Sequence, residues 1–428
     1  MRELGAREPD APTVPGKPSP ANGLVAAAPQ RPSTSIGEAS PMRGGVSAVS
    51  GRLASASVGQ ASIPTDPAFE EVAELFDAQL ARKLHFGAQL RVLYRGRTVV
   101  DRQGGHTDET RKRRITRNTP FMAYSATKAF TATCVHKLAD EGALDLDAPV
   151  AEYWPEFGAR GKARITISHI LLHQAGIPGK VGFGDLLAWL SPRGGATRAA
   201  SLVPAHEPGA GVFYHSVTAG FVLGELIRRV SGLSAADYLR ANFLEPLGMT
   251  DSHAGLPWRE YGRASRISTA DPKQGAAARS FSNPLYRSLF LPAASLNTTA
   301  CDLAVFYEML RLGGRYGERR YLSEAAVTRA TALRYEGPDG ETGRRVRWAM
   351  GYGLGGYSPF PDKDIRHMGR GATEKTFGHS GQGGCSIGWA DPPSGLVFAF
   401  LCNRFQNLET AYLRFQELAN ACWKALGR

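Results

Sequence analysis

Apolar residues first recur at helical spacing in 67–84, where Phe69, Val72, Leu75, Phe76 and Leu80 form one stripe. Positions three and four apart share a helix face, so an amphipathic helix is expected there. The pattern then changes to strand-like runs at 88–94 and 98–102 around the turn Arg95-Gly96-Arg97. A polar, basic loop leads to 126–141, a run of another kind. Ala126, Ala129, Phe130, Ala132, Cys134 and Val135 make its first half apolar almost all round, and Gly142 stops it. A helix of that character is normally buried. The stretch 148–157 is turn-rich, 165–172 reads as a short helix or extended piece, and Gln174 to Pro178 turns. Helical segments at 217–230, 235–243, 299–312 and 324–332 are separated by long Gly/Pro loops. Strand character returns at 376–379, 384–390 and 396–402, and 408–426 closes as an amphipathic helix. Strands at both ends with helices between predict one sheet built from about 85–120 and 345–428, with a helical region inserted over about 145–340.

Composition changes this picture at one end. Residues 1–62 are rich in Pro, Ala, Ser and Gly and hold no aromatic residue. Such a stretch buries too little apolar surface to offset ordering and is expected to be a disordered tail, with one domain over 63–428. The net charge is +12, with basic clusters at Arg111-Lys112-Arg113-Arg114 and Arg344-Arg345-Val346-Arg347. Both are expected to be solvated loops, since no zinc-finger spacing or aromatic-basic interleaving points to nucleic acid. Cys134, Cys301, Cys385, Cys402 and Cys422 are odd in number, dispersed and in apolar surroundings. They suit reduced, buried thiols better than a disulfide framework. No basic segment with an apolar core opens the chain and no run approaches a membrane span, so a cytoplasmic location is expected.

The candidate chemistry starts at Ser125. Lys128 lies one helical turn on, inside the apolar run, which puts its ammonium beside the hydroxyl. A buried lysine is costly unless its charge is used, and burial lowers its pKa so that it can act as a base. Ser125 with Lys128 is therefore a candidate activated nucleophile. Such a pair needs a proton-moving partner and two N–H donors for an oxyanion. Tyr214-His215-Ser216, in a Gly-flanked loop before the helix at 217, offers a phenol that a nearby lysine cation should acidify. His379-Ser380-Gly381, followed by Gln382, ends a strand in a glycine-rich stretch where backbone N–H groups are approachable.

Ser-x-x-Lys, then Tyr-x-Ser, then a three-residue strand motif ending in Gly is the order of the penicillin-recognising serine hydrolases. The chain resembles the branch that holds class C β-lactamases, D-alanyl-D-alanine peptidases and family VIII carboxylesterases. The likeness includes ITISHILLHQAGIP at 165–178, FLEPLGM at 243–249, LNTTACDL at 296–303 and GYGLG at 351–355, and so spans about 65–426. It implies an α+β sandwich, an antiparallel sheet flanked by helices, with the inserted helical region beside it and the site between. It implies Ser125 as nucleophile, Lys128 as its partner and Tyr214 as general base. Gln382 would supply the second oxyanion N–H. No metal or organic cofactor is implied.

Two departures bear on substrate. Ser216 stands where penicillin-cleaving members usually have Asn, and His379 where they usually have Lys. Ser lacks the amide that holds a lactam side chain. A histidine is mostly neutral at pH 7 and is expected to gain its proton toward pH 6. Both changes weaken recognition of an anionic lactam and favour a small neutral ester, cleaved through an acyl-enzyme by hydrolysis or acyl transfer. The alternatives are a β-lactamase or D-alanyl-D-alanine peptidase, and a binding protein of the same fold without turnover. Three decoys are set aside. His169 and His173 are spaced as zinc ligands often are, but no Glu follows His169. Gly378-His379-Ser380-Gly381 lacks the last glycine of a nucleophile elbow. Gly353, Gly355 and Gly356 lack the strand-loop-helix setting of a dinucleotide site.

Overall fold

Two segments far apart in sequence meet in one sheet. Gly87–Tyr94 (β1) and Arg97–Gly105 (β2) come from the N-terminal side. Tyr335–Pro338 (β3), Arg345–Ala349 (β4), Tyr352–Leu354 (β5), Phe377–Ser380 (β6), Ser386–Asp391 (β7) and Leu396–Cys402 (β8) come from the C-terminal part. The eight strands hydrogen-bond in the order β2-β1-β8-β7-β6-β5-β4-β3, antiparallel throughout. The two segments join where β1 pairs with β8, Leu90 opposite Phe400 and Val92 opposite Phe398. The structure, a computed structural model, describes residues 63–179, 188–269 and 271–428. The expected tail lies outside these, and Gln60–Arg428 forms one compact unit.

All seven residues of β8 are buried, as a central strand covered on both faces requires. Its alternation sorts two cores. Phe398 and Phe400 face Glu70–Ala81 (α1) and the C-terminal helix, where they meet Val72, Phe76, Phe415, Leu418 and Trp423. Val397, Ala399 and Leu401 face the other way, toward Thr127–Asp140 (α2), where the core holds Phe130, Leu303 and Tyr307. Each large apolar side chain buried this way contributes roughly 1.5–3 kcal/mol. The remaining helices used below are Thr218–Ser231 (α3), Trp258–Tyr261 (α4), Pro284–Ser288 (α5), Ala300–Arg311 (α6) and Leu408–Ala425 (α7). Phe130 of α2 and Phe306 of α6 stack at 3.7 Å between ring centroids.

The sheet departs from the expected ranges at two places. It gains β3, whose Tyr-Glu-Gly-Pro sequence has no β-branched residue and so no strand signature. It loses 106–120. The next strand, Phe121–Met122, instead joins Leu296–Thr298 and His253–Ala254 in a separate three-stranded sheet. Two- and three-residue strands are too short to show an alternation. The first helix is also shorter than expected: Lys83 takes φ +57, and α1 stops at Ala81.

Candidate active site

Ser125 is the middle residue of a 3-10 turn, Tyr124–Ala126, that runs straight into α2. The residue before it, Tyr124, has φ +48. A left-handed non-glycine residue costs about 1–2 kcal/mol. The ring of Tyr124 is fully buried against Phe281 and Phe405, at 5.3 and 5.5 Å between centroids, and that packing offsets the strain. Ala123 is tied from two further directions: its N–H donates to the Leu296 carbonyl at 2.8 Å, and its carbonyl accepts from Ser386 Oγ at 2.5 Å. Gly381 lies against the same turn. A Cβ there would stand 2.1 Å from Ser386 Oγ and 2.7 Å from the Ala123 carbonyl, so only glycine lets β6 run this close to the turn that carries Ser125.

Lys128 is buried, and its Nζ has three partners: Ser125 Oγ at 3.2 Å, the Ser216 carbonyl at 2.7 Å and the Ala293 carbonyl at 3.2 Å. Burial lowers its pKa from 10.5 to about 7. Gly220 of α3 makes room for the strut at Ala293, since a Cβ there would sit 2.5 Å from the Ala293 nitrogen. Ser216 thus serves through its backbone. Its side chain is exposed.

Tyr214 is brought to the same place. The Lys128 Nζ lies 4.9 Å from its ring centroid. The expected acidification of the phenol does not occur. Burial pushes Tyr214 up to about 12, and its hydrogen bond with Ser125 opposes this only in part. Loss of water outweighs that hydrogen bond, and the Asp339 carboxylate pushes the same way. Tyr214 stacks on Trp348 at 6.0 Å and packs on His173 at 4.6 Å. Its backbone N–H donates to Asp339 Oδ2 at 3.0 Å, and Asp339 also accepts from the N–H of Thr342 at 2.9 Å. Asp339, His173 and Trp348 were not singled out as parts of the site from sequence. Asp339 sits in the loop between β3 and β4, and nothing in a lone Asp-Gly dipeptide announces a partner 125 residues away.

His379 is buried with its ring 5.7 Å from Trp348. Its Nδ1 is 2.8 Å from the Ser380 carbonyl, so the proton sits on Nδ1 and Nε2 is left as an acceptor with no partner among the described residues. Burial, then the Lys128 charge, hold its pKa down to about 3. The expectation that it gains a proton near pH 6 therefore fails. The hydroxyls of Ser380 and of Tyr412, on α7, hydrogen-bond to one another. Gln382 begins the turn Gln382–Gly384, with an exposed side chain. Neither its N–H nor that of Ser125 has an acceptor among the described residues.

The zinc-like pair separates into different tasks. His169 caps its own helix, its Nδ1 accepting from the Thr166 N–H at 3.2 Å. His173 Nδ1 accepts from the His215 N–H at 3.2 Å. The two basic clusters also differ. Arg111, Lys112, Arg113 and Arg114 are exposed as expected, whereas Arg347 is buried, donating to the Gly355 carbonyl at 2.7 Å and pairing with Glu336 at 3.1 Å. It is a strut of the sheet edge rather than part of a solvated loop.

Comparison with known proteins follows the same lines. Residues 72–422 match the family described as Beta-lactamase. The chain is 32% identical over 372 residues to Esterase/beta-lactamase LipL of Mycobacterium tuberculosis, covering 79% of this chain and 82% of that protein. A penicillin-binding protein homologue from Caulobacter crescentus superposes with a TM-score of 0.74 at 29% identity, covering 85% of this chain and 99% of that one. A family VIII carboxylesterase superposes with a TM-score of 0.73 at 30% identity, covering 84% and 98%.

Proposed function

The chain belongs to the β-lactamase family, and from that premise we propose that it is a serine carboxylesterase that cleaves small neutral esters through an acyl-enzyme on Ser125. The observation that carries this reading is the charge of the site. Lys128, with a pKa of about 7, is the one titratable cation touching Ser125 among the described residues, and His379, at about 3, stays neutral where a carboxylate would need a cation. Ester-cleaving relatives, among them proteins described as an esterase/β-lactamase and a family VIII carboxylesterase, support the same reading.

In the proposed mechanism the neutral Lys128 amine takes the Ser125 proton as Oγ attacks the ester carbonyl. The oxyanion is received by the N–H groups of Ser125 and Gln382. Tyr214, kept as a phenol by its raised pKa, gives its proton to the departing alkoxide and recovers one from the Lys128 ammonium. Water or an acceptor alcohol then attacks the acyl-enzyme, and the same two groups return the protons. Gly381 and Ser380 hold β6 against the nucleophile turn. The proposed base is thus Lys128, and Tyr214 relays protons instead of removing the first one.

The test pairs chromogenic short-chain esters with a chromogenic cephalosporin, offered to wild type and Ser125→Ala. A pre-steady-state burst with esters, an added acyl mass on the peptide that contains Ser125, and slow or absent cephalosporin turnover are expected. Faster cleavage of cephalosporins than esters would make the lactam the better substrate and the ester reading wrong.

A further inference from the structure

Trp258, at the start of α4, is 66% exposed, the most exposed large apolar side chain among the described residues. The chain has five other tryptophans. Four are buried and Trp189 is half-buried, so this exposure is particular to one place. Leu285, at the start of α5, is 56% exposed. Helices α4 and α5 pack together, joined by the Leu256 N–H to the Arg287 carbonyl at 2.7 Å and by the Tyr261 hydroxyl to the Ser282 carbonyl at 2.6 Å.

The surroundings are basic. Arg259, beside Trp258, is 80% exposed and pairs with Glu260 at 3.4 Å. The exposed run Arg111 to Arg114 is attached to this lobe: the Arg266 N–H donates to the Thr107 carbonyl at 2.8 Å, and Arg113 Nη1 lies 3.5 Å from where a Cβ on Gly262 would be. The acidic groups nearby are mostly engaged. Glu260 pairs with Arg263 at 2.5 Å, Asp251 pairs with Arg263 at 2.7 Å, and Asp108 lies 3.9 Å from Arg266. Glu109 and Asp271 are exposed and subtract from the positive field without balancing it.

We propose that the α4–α5 lobe, with Trp258 and Leu285 as its apolar tip and Arg259 and Arg111 to Arg114 around it, docks this protein on an anionic phospholipid surface. An indole beside a leucine at a protein apex suits the headgroup–acyl boundary, where its ring is half apolar and its N–H stays wet. A ring of cations adds attraction to anionic lipid that falls with salt. A polyanion such as nucleic acid would use the cations but leave the apolar tip without a purpose, which is why lipid is favoured. The lobe also carries Phe281, whose ring packs on Tyr124 next to Ser125, so docking would hold the nucleophile turn near the membrane. The docking itself does not depend on ester turnover.

The experiment uses the full chain with sonicated vesicles of phosphatidylcholine, with and without phosphatidylglycerol. Cosedimentation is expected only with the anionic vesicles and is lost at raised salt. Binding should shift tryptophan emission to the blue and make it quenchable by brominated lipid, and both signals should vanish in Trp258→Phe. Trp258→Ala with Leu285→Ala should weaken binding at least about tenfold. Turnover of a soluble ester in these variants should match wild type, which reports that they are folded. Replacing Arg111, Lys112, Arg113 and Arg114 by Gln should weaken binding to anionic vesicles and leave that turnover unchanged. No binding to anionic vesicles, equal binding by Trp258→Ala with Leu285→Ala, or self-association through Trp258 without vesicle binding would each overturn the proposal. Tighter binding to duplex DNA than to vesicles, insensitive to Trp258→Ala, would overturn it in favour of a polyanion site.

Discussion

Lys128 and Lys162 are both buried, both donate to two backbone carbonyls, and both lie near an aromatic face, Tyr214 at 4.9 Å and Phe157 at 5.4 Å. Their third partners differ. Lys162 donates to a third carbonyl, so that Ala159, Ala200 and Leu202 take all three protons at 2.9, 2.9 and 2.6 Å. Carbonyls only accept, and the ammonium that satisfies them has to stay charged. Lys128 has Ser125 Oγ in the third place, at 3.2 Å. A hydroxyl can accept from an ammonium or donate to an amine, so this lysine can exist in either state without orphaning a partner. Burial alone therefore does not make a base. One ambivalent partner converts a strut into a group that can move a proton.

Exchanging each lysine should separate these roles most strongly. Lys128→Ala is expected to lower kcat by on the order of 10³-fold or more, and it also orphans the Ser216 and Ala293 carbonyls, so the melting temperature should fall as well. Lys162→Ala should affect stability alone. It orphans three carbonyls and should cost about 3 kcal/mol or more, seen as a large fall in melting temperature, with kcat of the folded fraction unchanged. A similar fall in kcat for both variants would erase the distinction.

The second expectation concerns pH. A base with a pKa of about 7 is half protonated there, so kcat/KM should fall about tenfold per unit below pH 7 and level off above it. His379, at about 3, and Tyr214, at about 12, should add no step between pH 5 and 9. A rate profile for esters of different leaving groups checks this, and a flat profile down to pH 5 would contradict it.

Asp339 sharpens the comparison from the other side, because it places Tyr214 without touching the reacting atoms. Asp339→Asn keeps the shape but weakens the acceptor for the Tyr214 N–H, and kcat should fall roughly tenfold with KM little changed. Adding this change to Tyr214→Phe should cost nothing further. The smallest effect is expected at His379. His379→Lys adds a cation where the imidazole is neutral, and residual cephalosporin hydrolysis should rise several-fold through KM while ester turnover stays level or drops. Unlike a histidine that titrates near neutrality, the wild type should gain no cephalosporin affinity between pH 8 and 6.

The sequence carried the parts of this site that lie close together along the chain. Ser125 and Lys128 are one turn apart on an apolar helix, and their contact follows from helix geometry. β8 was legible to the residue, because a seven-residue apolar run has few other uses. The pieces that were not legible are set by packing between distant segments. The strained φ of Tyr124 depends on Phe281 and Phe405. The acid strengths of Tyr214 and His379 depend on how much water the fold excludes, which is why the phenol is not acidified and the imidazole does not gain its proton near pH 6. Asp339 and Trp348 join the site only because the β3–β4 hairpin folds back over residues 212–214.

The account rests on the charge of one amine. Lysine side-chain Nζ and Cε resonances, followed by NMR in protein carrying isotope-labelled lysine and assigned with Lys128→Arg and Lys162→Arg, read that charge directly. The Lys128 signal should titrate with a midpoint of about 7, while the Lys162 signal, whose pKa burial also lowers, should titrate at higher pH than Lys128. A Lys128 that stays protonated until the pH at which Lys162 titrates would contradict the account, because no neutral amine would then stand beside Ser125 to take its proton.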